Sequence, residues 1–240
     1  MEMTEEGIIT QELTNSGTSW THNKFFDDNG YMYLKDFVDP QTLYHPLPEL
    51  RGQLNYRSDD LDDFEHIEVE SQVEGSLARY WHPQYRKTHS DIRISLEKII
   101  GRKLYNTYYY DRFYFPGQKL EKHTDRPSCE ISVSIHISSN IKELWPIYVK
   151  TPDVVKTESK SAKQTTFSKI EKKGEIIGVL LNPGDAVLYK GCERPHWRDP
   201  MPGSFEMMRV EPEQLYYHQI FFHYVLQDGI RAHHAWDKCN

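Results

Sequence analysis

Residues 130–138 alternate strictly, with Ile131, Val133, Ile135 and Ile137 at odd positions and Ser132, Ser134 and His136 between them. Successive side chains of a β-strand point to opposite faces. A strand here buries one face in an apolar core and turns a polar face toward something wet. The same period of two holds from residue 103 onward. Residues 104–114 read as a strand crowded with tyrosines, and 176–181, 185–189 and 216–225 supply further strands. Asn182-Pro183-Gly184-Asp185 is a turn between two of them. The chain is therefore expected to be mainly β with supporting helices, as a sandwich or jelly roll.

The N-terminal part reads differently. Residues 1–22 are polar and without periodicity, so loosely ordered. Residues 30–34 read as a strand, Asp39-Pro40 opens a turn or helical segment, and the acidic stretch 51–75 reads as a solvated face or loop. Residues 90–100 form the clearest helix. Ser90 serves as N-cap, Asp91 favours the first turn, Ile92, Leu96 and Ile99 share a face, and Gly101 stands where the helix ends. Residues 150–174 are rich in Lys, Ser and Thr and read as a flexible surface insertion, with a substrate lid as the alternative.

With 38% hydrophobic and 13% aromatic residues, the 240-residue chain is expected to fold as one catalytic domain spanning 1–240. Within it, 1–102 form an N-terminal helical and mixed support, 103–226 the core, and 227–240 a C-terminal tail. A net charge of −7 argues against a phosphate-neutralising, nucleic-acid-binding surface. The apolar runs are too short to cross a bilayer, and the N-terminus lacks the basic-then-apolar pattern of an export signal, so a cytoplasmic protein without a membrane partner is expected. Oligomeric state is not written in the sequence. Cys129, Cys192 and Cys239 make no disulfide framework, which fits a reducing compartment. Cys129 and Cys192 each lie four residues from a candidate metal ligand, but without a Cys-x-x-Cys pair they read as small buried residues.

The chemistry is concentrated in two places. In KLEKHTD, residues 119–125, His123 and Asp125 are two apart and so point to one side of an extended segment. Far along the chain, VLYKGCERPHW places His196 after a turn-rich stretch. Two imidazoles and one carboxylate hold iron(II) on one face and leave positions open for reactants. A His-x-Asp alone arises by chance in many chains. Its conjunction with a polar-faced strand and a distal histidine is far more specific.

YYDRFYFPGQKLEKHTDRPSCEISVSIHI, then LNPGDAVLYKGCERPHW, then a strand ending FFHYV resemble the prolyl-4-hydroxylase-like branch of the iron(II)/2-oxoglutarate-dependent oxygenases, over roughly residues 104–226. The resemblance implies a double-stranded β-helix (jelly roll) and an iron centre of His123, Asp125 and His196. It implies 2-oxoglutarate as co-substrate with dioxygen, and hydroxylation of an unactivated C–H bond with release of succinate and carbon dioxide. Tyr114 and Gly117 occupy the place of a Tyr and a Gly-containing turn that precede the family's metal motif. Asp125 is the carboxylate that the halogenases of the superfamily replace. The family usually carries Lys or Arg about ten residues after the distal histidine to bind the far carboxylate of 2-oxoglutarate, whereas this chain has Glu206 there. Arg198, two residues past His196, is the favoured substitute, with Arg209 the alternative; a guanidinium suits a carboxylate bidentately.

Ser134, His136 and Tyr114 are further candidates for the co-substrate, and Arg126, next to the metal motif, for an anionic group of the substrate. Tyr108, Tyr109 and Tyr110 read as sheet packing and His233-His234 as surface. The substrate is a small molecule, amino acid or peptidyl residue. Two other classes compete: a cupin-type metal-binding jelly roll with non-oxidative chemistry, and a non-catalytic binding module.

Overall fold

The structure is a computed structural model that describes residues 23–45, 67–69, 72–160, 165–203 and 215–236. Two antiparallel sheets face each other. The larger has seven strands: β1 (Tyr31–Leu34), β2 (Ile67–Val69), β3 (Leu77–Tyr80), β4 (Leu104–Tyr114), β6 (Ile131–Ser139), β11 (Ala186–Tyr189) and β13 (Tyr217–Leu226). Their order across the sheet is β1-β11-β6-β13-β4-β3-β2. The smaller sheet runs β10-β7-β12-β5, from β5 (Leu120–His123), β7 (Ile147–Lys150), β10 (Ile176–Val179) and β12 (His196–Arg198). This is a double-stranded β-helix, the jelly roll expected from the strand pattern.

The alternation in β6 decides which side is which. Ile131, Val133, Ile135 and Ile137 face outward into a buried cluster shared with Phe26 of the short helix α1 (Lys24–Asn29) and with Ile92, Leu96 and Ile100 of the helix α2 (Tyr85–Ile100). Each such side chain contributes about 1.5–3 kcal/mol by leaving water. Ser132, Ser134 and His136 are as fully buried, but they face the space between the sheets, opposite Ile147, Val149 and the residues of β12. The polar face expected to be wet is thus the inner wall of the barrel.

Three segments differ from the sequence reading. The helix begins at Tyr85, not Ser90, and its N-cap residue Gln84 makes no side-chain cap. Tyr85 and His89 are buried in line with Ile92 and Leu96, so packing rather than capping sets the start. Gly101 ends it as expected, in the left-handed region at φ 68°, with its N–H on the Glu97 carbonyl. The acidic 51–75 stretch, where described, leads into β3, which widens the main sheet. Residues 150–174 are not a loop: β8 (Val154–Lys160) and β9 (Thr165–Lys172) pair as a two-stranded hairpin outside both sheets. Its Val and Thr residues favour the pleat, which composition by Lys and Ser conceals. Val154, Val155 and Ile170 stay half exposed on the ribbon. Among the described residues no helix is long and apolar enough to cross a membrane.

Candidate metal centre

β5 and β12 are antiparallel neighbours with His123 directly opposite His196, so pairing alone sets the two imidazoles side by side, ring centroids 4.4 Å apart. Asp125 follows β5 and is tied across to the segment before His196, its N–H donating to the Gly191 carbonyl at 2.8 Å. Asp125 Oδ1 then lies 3.4 Å from His123 Nε2 and 3.3 Å from His196 Nε2. Nδ1 of His123 donates to the Glu121 carbonyl at 2.8 Å, and Nδ1 of His196 to the Arg194 carbonyl at 2.9 Å. A carbonyl only accepts, so both Nδ1 atoms carry the proton and both neutral rings present Nε2 lone pairs to Asp125.

Two lone pairs and a carboxylate oxygen at this spacing repel unless a cation lies among them. Ligand atoms about 2.1 Å from one centre, at angles near 100°, are about 3.2 Å apart, so the residues fit a divalent metal. Burial alone would raise the Asp125 carboxyl, but protonation of the facing His196 or His123, which puts positive charge and a hydrogen bond where a cation would sit, outweighs it and holds the carboxyl well below the usual carboxylate range. The Gln72 amide donates to His123 Nε2 at 3.1 Å and marks where the open side of the ring is.

Gly191 explains why the segment can close so tightly. A methyl group there would lie 2.2 Å from Asp125 Oδ2, 2.3 Å from the Cys129 carbonyl oxygen and 2.8 Å from Ser132 Oγ. Gly191→Ala is expected to weaken metal affinity by about 10–100-fold, the range for disturbing groups that support a ligand. A metal titration checks this, and unchanged affinity would show that the Asp125 segment yields freely.

Arg198 lies two residues beyond His196, and burial alternates along His196-Trp197-Arg198, so both ends of β12 point inward. Its guanidinium is 1% exposed. Nη1 donates to the Trp145 carbonyl at 2.7 Å, Nη2 to Tyr217 Oη at 3.3 Å and to Gln219 Oε1 at 3.1 Å, and the group lies 4.4 Å from the Trp145 ring. Among the described residues none of its hydrogen-bond partners is a carboxylate. Arg198 Nε and Gln219 Nε2, two buried donors, have no acceptor among the described residues. A buried cation with spare donors has the chemistry to hold an anion.

Most of the sequence candidates gather around this point. Tyr114 is buried edge-on to Trp145, and its hydroxyl accepts from Arg112 at 3.0 Å. His136 stacks on Tyr217 at 4.1 Å and donates Nδ1–H to the Leu181 carbonyl. Burial lowers its pKa to about 4, so its free Nε2 is a bare acceptor that suits a donor rather than a carboxylate. Ser134 pairs with the hydroxyl of Tyr189, whose ring lies 4.5 Å from His196. Arg126 is exposed at the barrel mouth, 4.5 Å above the Tyr108 ring. Arg209, Glu206 and Cys239 lie outside the described residues.

Cys129 is buried against Tyr108 Oη, and burial pushes its thiol up, so it stays protonated beside the ligands. Cys192 is only partly buried, its thiol on the Arg126 carbonyl. Tyr109 packs against α2, but Tyr108 and Tyr110 face inward and stack with His223 and Phe221 as one wall of the barrel. Trp145, Gln219, Tyr189, Gln72 and Ser132 escaped the sequence reading. Of these, Ser132 shares the inward period of Ser134 and His136.

No family model and no curated protein matches the chain. Solved structures do. SnoN, titled a non-heme alpha ketoglutarate dependent epimerase from nogalamycin biosynthesis, superposes with TM-score 0.53 at 9% identity, over 82% of this chain and 77% of that one. AviO1 from Streptomyces viridochromogenes Tue57 gives 0.52 at 13%, over 84% and 92%. EctD from S. alaskensis, solved with 2-oxoglutarate and 5-hydroxyectoine, gives 0.50 at 15%, over 90% and 79%. At such identities the likeness is one of fold, the double-stranded β-helix.

Proposed function

We propose that this protein is an iron(II)- and 2-oxoglutarate-dependent dioxygenase that hydroxylates an unactivated C–H bond of a small molecule, amino acid or peptidyl residue. One observation carries the reading beyond a metal site: Arg198, two residues along β12 from His196 and like it buried, contacts Gln219 of β13, and both keep a buried donor without an acceptor among the described residues. A dicarboxylate held at the metal by its keto-acid end would direct its other carboxylate toward those donors.

Iron(II), when bound with 2-oxoglutarate and dioxygen, supplies the oxidant that breaks the C–H bond, with succinate and carbon dioxide released. His123 and His196 offer neutral Nε2 atoms, their tautomers fixed by the Glu121 and Arg194 carbonyls. Asp125 offers Oδ1 and remains ionised. Arg198 Nε–H and Gln219 Nε2–H together bind the distal carboxylate, while Trp145, Tyr217 and Gln219 Oε1 keep the guanidinium aimed. The inner wall of Tyr108, Tyr110 and Phe221 offers the substrate an apolar surface, with Arg126 at the mouth for an anionic group.

Incubation with iron(II), ascorbate and 2-oxoglutarate is expected to release succinate, faster when a substrate is present. Metal binding without any consumption of 2-oxoglutarate would instead favour non-oxidative chemistry of the cupin type. Absence of metal binding would leave a binding module.

A further inference from the structure

We propose that His223, acting through Ser132, is a positioning residue for the metal centre, locking Asp125 so that Oδ1 alone faces the metal. The inference rests on the reading of His123, Asp125 and His196 as ligands. It concerns a residue on a different strand, 91 positions from Ser132 in the chain.

The antiparallel register of β13 with β6 sets His223 opposite Ser132 on the inner face of the main sheet. Both are almost wholly buried, at 3% and 0% exposure. Ser132 Oγ lies 2.9 Å from Asp125 Oδ2, 3.3 Å from the Cys129 carbonyl oxygen and 2.9 Å from His223 Nδ1. The direction of each hydrogen bond follows from what the atoms are. If the hydroxyl proton went to His223 Nδ1, Ser132 Oγ would face the Asp125 carboxylate oxygen at 2.9 Å with no proton between them, so the proton goes to Asp125. Ser132 then has no proton left for the imidazole, and His223 Nδ1–H donates to Ser132.

The relay is therefore polarised from His223 through Ser132 to Asp125 Oδ2. That oxygen is held away from the two imidazoles, and Oδ1, at 3.3–3.4 Å from both, is the one presented to a metal. The imidazole cannot swing away: its ring stacks on Tyr108 at 4.6 Å. Gly191 closes over the pair, so that a methyl group there would lie 2.2 Å from Asp125 Oδ2 and 2.8 Å from Ser132 Oγ. His223 Nε2 has no partner, so nothing in the described residues competes for the opposite tautomer.

The full-length chain is titrated with cobalt(II) alone, following the visible absorption bands that report coordination geometry. Variants Ser132→Ala, His223→Phe and His223→Asn are compared with wild type, with thermal melts run alongside. Ser132→Ala and His223→Phe are expected to weaken cobalt binding by about 10–100-fold and to change the band positions. In His223→Asn the amide N–H stands where Nδ1–H was, so affinity and spectrum are expected to return close to wild type. A purely structural role would lower the melting temperature of His223→Phe and leave the cobalt spectrum intact, which overturns the proposal. Ser132→Ala removes a single atom, so the question is still answered if Phe at 223 prevents folding: wild-type affinity in that variant also overturns it. Failure of wild type itself to bind cobalt would sink the metal reading, a result distinct from normal binding in all three variants.

Discussion

Iron(II) binding falls by at least about 100-fold, and turnover vanishes, when His123, Asp125 or His196 becomes alanine. The lower bound follows because changing a group that merely supports a ligand already costs about 10–100-fold, and here the ligand atom itself is lost. The fold should survive, since His123 and His196 lie at strand ends, Asp125 lies just beyond β5, and none belongs to the three apolar clusters. Asp125→Ala also removes a carboxylate that two imidazoles otherwise face at 3.3–3.4 Å. Calorimetric titration with iron(II) under anaerobic conditions, paired with circular dichroism, measures both parts. Near wild-type turnover in His196→Ala would take that residue out of the ligand set.

Loss of the Arg198 guanidinium is expected to raise the apparent KM for 2-oxoglutarate by one to three orders of magnitude, because a charge-assisted bidentate pair is worth about 1.5–4 kcal/mol. Alanine at this site would also leave a hole beneath the Trp145 ring, 4.4 Å from the guanidinium carbon. Arg198→Met fills that space without the charge and is the cleaner variant. It should show the same rise in KM with a smaller loss of stability. Arg198→Lys keeps the charge but not the fork, so it should fall between wild type and Met. Initial-rate succinate release across 2-oxoglutarate concentrations gives the comparison. A large effect of Arg209→Ala with little change at 198 would reverse the assignment.

Local patterns carried much of this protein in plain view. The strict alternation of β6 announced both the sheet and its polar face, and the span of β4 was readable from its period. The His-x-Asp spacing was legible because two residues on an extended chain must share a side. The start of α2 was not legible. Tyr85 and His89 are poor helix signals, and they join the helix because they bury against Tyr109 and Phe222. Nor was the β8–β9 hairpin, whose lysines and serines read as loop while its valines and threonines paired.

By itself, then, the sequence determined which residues must alternate, where turns fall, and that two histidines and an aspartate with metal-binding chemistry exist in one chain. Only the tertiary structure decided that β12 pairs with β5 so that His196 meets His123. It also decided that Arg198 faces Gln219 with donors to spare, and that His223 stands opposite Ser132 behind Asp125. The physical reason is range. Strand periodicity is fixed by neighbouring dihedrals and sterics, which a short window of sequence contains. Register between strands far apart in the chain is fixed by the packing of whole faces, and a slip of one residue would turn every one of these side chains to the opposite face.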